Sequence, residues 1–217
     1  LSVSIEDFNG DGWMDVYVGN DFIQPDLLYI NNGNGTFTDR LGEYIRHTSQ
    51  HTMGTELADF DNDGLFDIFA VDMLANTNYR TKTTVNNNKQ DKYTSLVTNG
   101  YFEPVVRNVL QHNNGNGTFS DIGCLTDVYR TDWSWSGLFA DMDNDGLKDL
   151  FVTNGYRREI PNSDFINFEF AEIKGKNIPL EKQFKDVYDF LNLIPIYKIR
   201  NYYYKNKGDW KFENMAG

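Results

Sequence analysis

Three nine-residue segments recur along the chain: DFNGDGWMD from Asp7, DFDNDGLFD from Asp59 and DMDNDGLKD from Asp141. A second element trails each of them, LLYINNGNGTFTD from Leu27, VLQHNNGNGTFSD from Val109 and a looser YYYKNKGDWKFEN from Tyr202, always in the same order. Such a repeat constrains the fold more than any other feature, because one unit cannot bury its apolar face alone and must stack on its neighbours. Alternating apolar stretches flank the acidic segments, LSVSIE before and DVYVGN after the first, GLFA before and DLFVTN after the third. That period of two reads as half-buried strands. The trailing element reads as a hairpin whose Asn/Gly-rich turn supplies residues tolerant of positive φ. One unit is therefore four antiparallel strands: strand, acidic loop, strand, connector, hairpin.

Four-stranded units in series are the blades of a β-propeller, which places the chain in the all-β class. The blades cover 1–41, 53–123 and 133–217 of one partial propeller domain spanning 1–217. Three blades do not close a ring of about four to eight, so either the chain is a fragment or partners complete it. It opens on Leu1, inside a strand-like stretch, which reads as a piece of something longer; the lack of a signal peptide then says nothing about location. The acidic loops are 52 and then 82 residues apart, and the surplus lies in the connectors. In the first blade the connector is the short GNDFIQPD. In the second, the insertion 74–104 is polar and Asn-rich, including TVNNNKQDKYTS, and reads as an irregular excursion. In the third, the insertion 156–200 is helical: Leu180, Phe184, Val187, Tyr188, Leu191 and Ile194 fall on one helical face, suited to packing on the propeller or to a partner. SDFINFEFAEIK before it reads as another helix, with Ser163 as N-cap.

Carboxylates at positions 1, 3, 5 and 9, with Gly at 6 and a backbone carbonyl at 7, can wrap a hard cation in oxygen. The first loop offers Asp7, Asn9, Asp11, the Trp13 carbonyl and Asp15. The second offers Asp59, Asp61, Asp63, Leu65 and Asp67, and the third Asp141, Asp143, Asp145, Leu147 and Asp149. An all-oxygen set selects calcium over zinc or copper, and magnesium is disfavoured because it retains its waters. Three Ca²⁺ ions would reduce the net charge from −12 to −6. EF-hands are disfavoured, since position 12 is Val18, Ala70 or Val152 inside a strand pattern. The same charge, with a pI near 4.6, opposes nucleic acid or an anionic membrane as partner. No apolar run is long enough for a transmembrane segment.

DFDNDGLFD followed by an apolar strand and NGNGTF resembles the FG-GAP or VCBS-type repeat of integrin α-subunit propellers and bacterial secreted proteins. NVLQHNNGNGTFSDIG, TDWSWSGLFADMDNDGLKDLFVTNGY and NSDFINF resemble, more narrowly, the cartilage-acidic-protein-like, ASPIC/UnbV-associated proteins of Bacteroidetes. The resemblance implies a calcium-binding propeller of about seven or eight blades, exported to the cell surface or beyond, with structural metal sites and no catalytic residue. Asn9 at position 3 departs from the fuller pattern and leaves the first loop one charge poorer. Loops of this kind fill at the calcium levels found outside cells, which agrees with an extracytoplasmic location.

Connections in an antiparallel blade alternate between its two ends, so the connectors and interblade segments share the end opposite the acidic loops. Arg46, His47, His51, Arg130, Trp133 and Trp135 are expected to gather there as a surface for a glycan or a protein loop. The alternation in WSWS equally fits tryptophans packed between blades. His47 and His51 are four apart with no evident third metal ligand. His112 reads as structural in its hairpin strand and Cys124 as a small core residue, while Asn34 and Asn116 match a glycosylation sequon but are explained by their turns. The expected role is a non-enzymatic module for ligand binding, adhesion or surface-complex assembly. The alternatives are a carbohydrate-active or other hydrolytic enzyme, for which Asp132 and Glu159 would be a carboxylate pair, and a purely structural spacer.

Overall fold

The computed structural model describes residues 1–22, 24–84, 90–100 and 102–216. The first sheet is a meander of β1 (Ser2–Glu6), β2 (Asp15–Gly19), β3 (Leu27–Asn31) and β4 (Phe37–Asp39). The chain continues through β5 (Thr48–Ser49), β6 (Gly54–Ala58), β7 (Asp67–Val71), β8 (Pro104–Val105), β9 (Val109–Asn113) and β10 (Phe119–Asp121). Of these, β6, β7, β9 and β10 make the second four-stranded sheet, while β5 and β8 pair in parallel. The third sheet is β11 (Ser134–Ala140), β12 (Asp149–Asn154), β13 (Tyr202–Asn206) and β14 (Phe212–Asn214). All three are antiparallel throughout, and the acidic loop closes the first hairpin at the same register each time: Glu6 faces Asp15, Ala58 faces Asp67 and Ala140 faces Asp149.

The sheets pack face to face. Phe8, Tyr17, Leu28, Ile30, Ile68 and Phe119 fill the layer between the first and second. Phe60, Phe69, Val71, Leu110, Phe139, Leu150 and Tyr204 fill the layer between the second and third. β7 explains why its sequence, DIFAV, abandons alternation: every residue is buried, Ile68 on one layer and Phe69 and Val71 on the other. Phe60 stacks on Phe139 at 6.1 Å and meets Phe212 at 5.8 Å, contacts worth about 0.5–1.5 kcal/mol each beyond area burial. The first strands of successive sheets lie alongside one another, β1 by β6 and β6 by β11. Ser4 on β1 meets Thr55 on β6 at 2.7 Å, while Val3 and Ile5, alternating with Ser2 and Ser4, are exposed on the far face.

Four expectations need correction. The 74–104 insertion is not irregular throughout: it holds helices at Asn78–Thr83 and Gln90–Thr98, and its end supplies β8. Thr77 caps the first of these by accepting from Arg80 N at 3.2 Å; residues 85–89 of TVNNNKQDKYTS lie outside the described residues. The helix expected across 180–194 is two short ones, Leu180–Gln183 and Val187–Leu191. Phe184 is extended, and Asp186 accepts from Tyr188 N (2.8 Å) and Asp189 N (3.1 Å), a cap that starts a new helix. The apolar stripe is consequently split, with Ile194 buried and Val187 and Tyr188 exposed. The preceding segment is helical, π-type at Phe165–Phe170 and α at Ala171–Gly175, but its cap is Asn162, whose Oδ1 accepts from Phe165 N at 2.9 Å, and not Ser163. Cys124 is exposed, not in the core.

Candidate metal centre

The three acidic loops share one backbone. Position 4 is left-handed in each, at Gly10, Asn62 and Asn144, and the glycine at position 6 has φ 89° in all three, a conformation that penalises any residue with a Cβ. The side-chain bonds recur as well. The position-1 carboxylate accepts from the amides of positions 5 and 6: Asp7 from Asp11 (3.1 Å) and Gly12 (2.8 Å), Asp59 from Asp63 (3.0 Å) and Gly64 (3.1 Å), Asp141 from Asp145 and Gly146 (both 3.0 Å). Position 5 accepts from position 7 at 2.8 to 3.0 Å in every copy. These amides place partial positive charge among the aspartates and hold their remaining lone pairs toward the rim.

The position-9 aspartates lie deeper than the others. Asp15, Asp67 and Asp149 are completely buried. Each ties the loop to the end of the third strand, accepting from Phe8 N and Asn31 N, from Phe60 N and Asn113 N, and from Met142 N and Asn206 N respectively. Burial raises the Asp15 pKa, and it pushes Asp67 up to about 7 against the hydrogen bond from Asn113 and the nearby His112. The loops are also chained from sheet to sheet: Asn113 Nδ2 donates to Phe8 O at 3.3 Å, and Asn206 Nδ2 to Phe60 O at 2.9 Å.

Within this common frame the copies differ in what they gather. In the third loop, oxygens of Asp141, Asp143 and Asp145 lie within 4.8 Å of one another. In the second, Asp61 and Asp63 converge with His112, again within 4.8 Å. In the first, Asn9 Nδ2 donates to Asp11 Oδ2 at 2.9 Å, so the amide turns partly inward. The side chains of Trp13 and Leu65 lie over the hairpin turns, where a methyl group added at Gly33 or Gly115 would come within 3.0 and 3.1 Å of them; Leu147 approaches Gly208 at 3.9 Å. The oxygen donors of the first loop fit calcium, and those of the third do so once the Lys205 ammonium moves aside. The positions that sequence reasoning missed are His112 and Lys205, whose ammonium pairs with Asp143 and with Asp145 (3.2 Å). Their signal was present, since both stand one residue before the Asn that ends the third strand, where the first copy has Ile30.

The candidate ligand residues at the other end do not form one site. His51 and Trp133 line a cavity of about 190 Å³ together with Met73, Arg80, Asp132 and Tyr156. Arg46 borders a separate, wider cleft with Phe102 and Leu41. His47 pairs with Asp121 at 2.8 Å, beside Arg107 at 2.6 Å from the same oxygen. Burial would raise the Asp121 pKa, but the hydrogen bonds from His47 and Arg107 and the charge of Arg107 outweigh it and hold the group below its ordinary value. Arg130 lies over the Tyr129 ring, and Trp135 is half exposed, donating to Gly155 O at 2.7 Å. The centre of this end is Arg80, which sequence reading passed over. It is 2% exposed, donates to Asp132 at 2.7 and 3.0 Å, to Tyr156 Oη at 2.8 Å and to Glu159, and lies 3.8 Å over the Tyr197 ring. Both insertions are thereby fastened together.

Asp26 lies buried near this end, accepting from Tyr17 Oη (2.6 Å), Thr52 Oγ1 (2.9 Å) and Asn20 N (2.8 Å). Burial, opposed by those bonds, raises its pKa from 3.8 to about 6. Between those values the folded chain binds a proton that the unfolded chain does not, so stability falls as pH rises through this window. Asp26→Asn is expected to remove that slope, a relative gain on the order of 3 kcal/mol between pH 4 and pH 7. Denaturant titrations of both proteins at the two pH values check it; parallel pH dependence contradicts it.

Packed antiparallel sheets with an acidic loop at the same corner of each define a repeat protein. The chain belongs to the FG-GAP-like repeat family, whose model matches residues 7–70 and 84–152, more than half of its length. Comparison with curated proteins finds no match. The matched segments contain all three acidic loops and the first two hairpins, and the third-sheet insertion lies outside them. Among the described residues, no helix is long and apolar enough to cross a membrane.

Proposed function

We propose that the chain is a stretch of calcium-stabilised β-propeller, three consecutive blades acting outside the cytoplasm as a non-enzymatic module for ligand binding, adhesion or surface assembly. The observation that carries this reading is the recurrence of one loop, with one backbone and one set of bonds, at the same end of three stacked sheets. Calcium held there by Asp7, Asn9 and Asp11, by Asp59, Asp61 and Asp63, and by Asp141, Asp143 and Asp145 would offset the repulsion within each loop and lock the hairpins that the loops close. Asp15, Asp67 and Asp149, anchored from beneath, and the carbonyls of Trp13, Leu65 and Leu147 would complete these sets. The side-by-side placement of β1, β6 and β11 supports their reading as inner strands of a propeller. The exposed faces carrying Val3 and Ile5 on β1 and Leu138 on β11 suit further blades, from the same polypeptide or a partner.

The ligand face is the end built by the insertions, where the cavity beside Trp133, Tyr156 and His51 has the mixed aromatic and polar lining that suits a sugar ring or a protein loop. Asp132 and Glu159 both bond to Arg80, which argues against their serving as a glycosidase acid and base. The narrower likeness to ASPIC/UnbV-associated proteins is compatible with this role and rests on the motifs alone. A glycan array and a panel of model glycosides and esters, run with and without chelator, test the proposal. Saturable binding without turnover is expected; turnover abolished by Asp132→Asn would contradict it.

A further inference from the structure

The three loops differ at one register position. The residue before the terminal Asn of the third strand is Ile30 in the first sheet, His112 in the second and Lys205 in the third. The first sheet thus has an apolar side chain where the second brings an imidazole and the third an ammonium to the loop carboxylates. We infer that the second loop takes a borderline divalent ion of the zinc class, bound by Asp61, Asp63 and the Nδ1 of His112.

Four observations carry this. First, the donors converge: Nδ1 of His112 lies 3.7 Å from Asp61 Oδ2, and one ligand atom from each of the three residues falls within 4.8 Å of the others. Ligand bonds of about 2.0–2.2 Å draw such atoms together with small side-chain movements. Second, Asp61 Oδ1 is buried and has no hydrogen-bond partner among the described residues, an acceptor left open on a carboxylate whose other oxygen lies 3.7 Å from the imidazole. Third, the ligands are oriented from outside. Trp210 Nε1 donates to Asp61 Oδ2 at 2.8 Å, and the Trp210 and Phe60 rings flank His112, with centroids at 4.8 and 6.4 Å, leaving it 8% exposed. Fourth, His112 can turn from Asp67, 3.1 Å away, to an ion without orphaning that carboxylate, which keeps its bonds from Asn113 N and Phe60 N.

The chemistry follows from the donor set. A neutral imidazole nitrogen binds zinc, cobalt and nickel far better than calcium, which prefers oxygen throughout. The second loop thus discriminates by ligand type while the first and third, which have no imidazole among their donors, stay with hard cations. Calcium occupies the second loop only where no borderline ion competes.

Cobalt(II) is the probe, titrated into the intact chain in millimolar calcium and followed by visible absorption and tryptophan fluorescence. The result expected is one saturable equivalent that resists excess calcium and quenches Trp210, which lies against His112. His112→Ala should weaken it at least about tenfold, while Lys205→Ala leaves it unchanged. Asp63→Asn, at an exposed loop position whose bond from Leu65 N an amide can keep, should weaken it likewise, which covers the case that His112→Ala fails to fold. Cobalt binding that calcium displaces, or that survives both the His112 and the Asp63 substitutions, overturns the inference. The two readings separate cleanly: calcium stabilisation without cobalt binding defeats this inference alone, and cobalt binding without calcium stabilisation defeats the calcium proposal alone.

Discussion

Chelation is expected to lower the melting temperature of the chain by about 10–25 °C relative to about 10 mM calcium. Extracellular sites of this kind have dissociation constants of roughly 0.1–1 mM, so each filled loop contributes about 1.4–2.7 kcal/mol through preferential binding to the folded state. Three loops together contribute about 4–8 kcal/mol, and a chain of this size shifts by about 2–4 °C per kcal/mol. The effect is mechanical as well as electrostatic, because each loop closes the hairpin between the first and second strands of its sheet. Asn113 and Asn206 bond the carbonyls of Phe8 and Phe60, so loosening one loop loosens the next sheet's third strand. Sodium chloride at matched ionic strength screens the aspartates but cannot bridge them, and it should not restore the melting temperature. A scan that is insensitive to chelator, or that salt rescues fully, contradicts the account.

Arg80→Met is expected to cost about 3–5 kcal/mol, the largest effect of any single substitution away from the loops. The guanidinium is enclosed by Asp132 and Glu159, which are 2% and 6% exposed, and by Tyr156 and Tyr197. Burial alone would lower the Arg80 pKa, but the surrounding bonds to Asp132, Tyr156 and Glu159 outweigh it, so the group is a fixed charge. Removing it leaves two carboxylates buried without a counter-charge, and the insertions that they join separate. The triple variant Arg80→Met, Asp132→Asn, Glu159→Gln should recover part of the loss, since it removes the stranded charges along with the cation. Equilibrium denaturation of the two variants measures this directly. Equal stability of Arg80→Met and the parent chain would mean that the triad is not closed in solution.

The repeat made the sheets legible in the sequence. Strand, acidic loop, strand and hairpin follow one another in the structure as their spacing in the chain implied, and DIFAV departed from alternation because it is covered on both faces. The insertions were less legible, for two physical reasons. Helices of four to nine residues carry too few apolar positions to show a period, and their limits are set by caps such as Thr77 and Asp186. The ligand end was misjudged because charges there pair over long sequence separations. Arg80 meets Asp132 and Glu159, and His47 meets Asp121, contacts that no local pattern announces. The differences among the loops are likewise tertiary, arising where a strand residue such as His112 or Lys205 leans over a loop about fifty to sixty residues away.

Equilibrium dialysis against ⁴⁵Ca²⁺, with calcium as the sole divalent ion, tests the central claim most directly. Three ions per chain are expected, falling by one for each of Asp7→Asn, Asp59→Asn and Asp141→Asn. A chain that retains no calcium, or whose count is untouched by those substitutions, would contradict it.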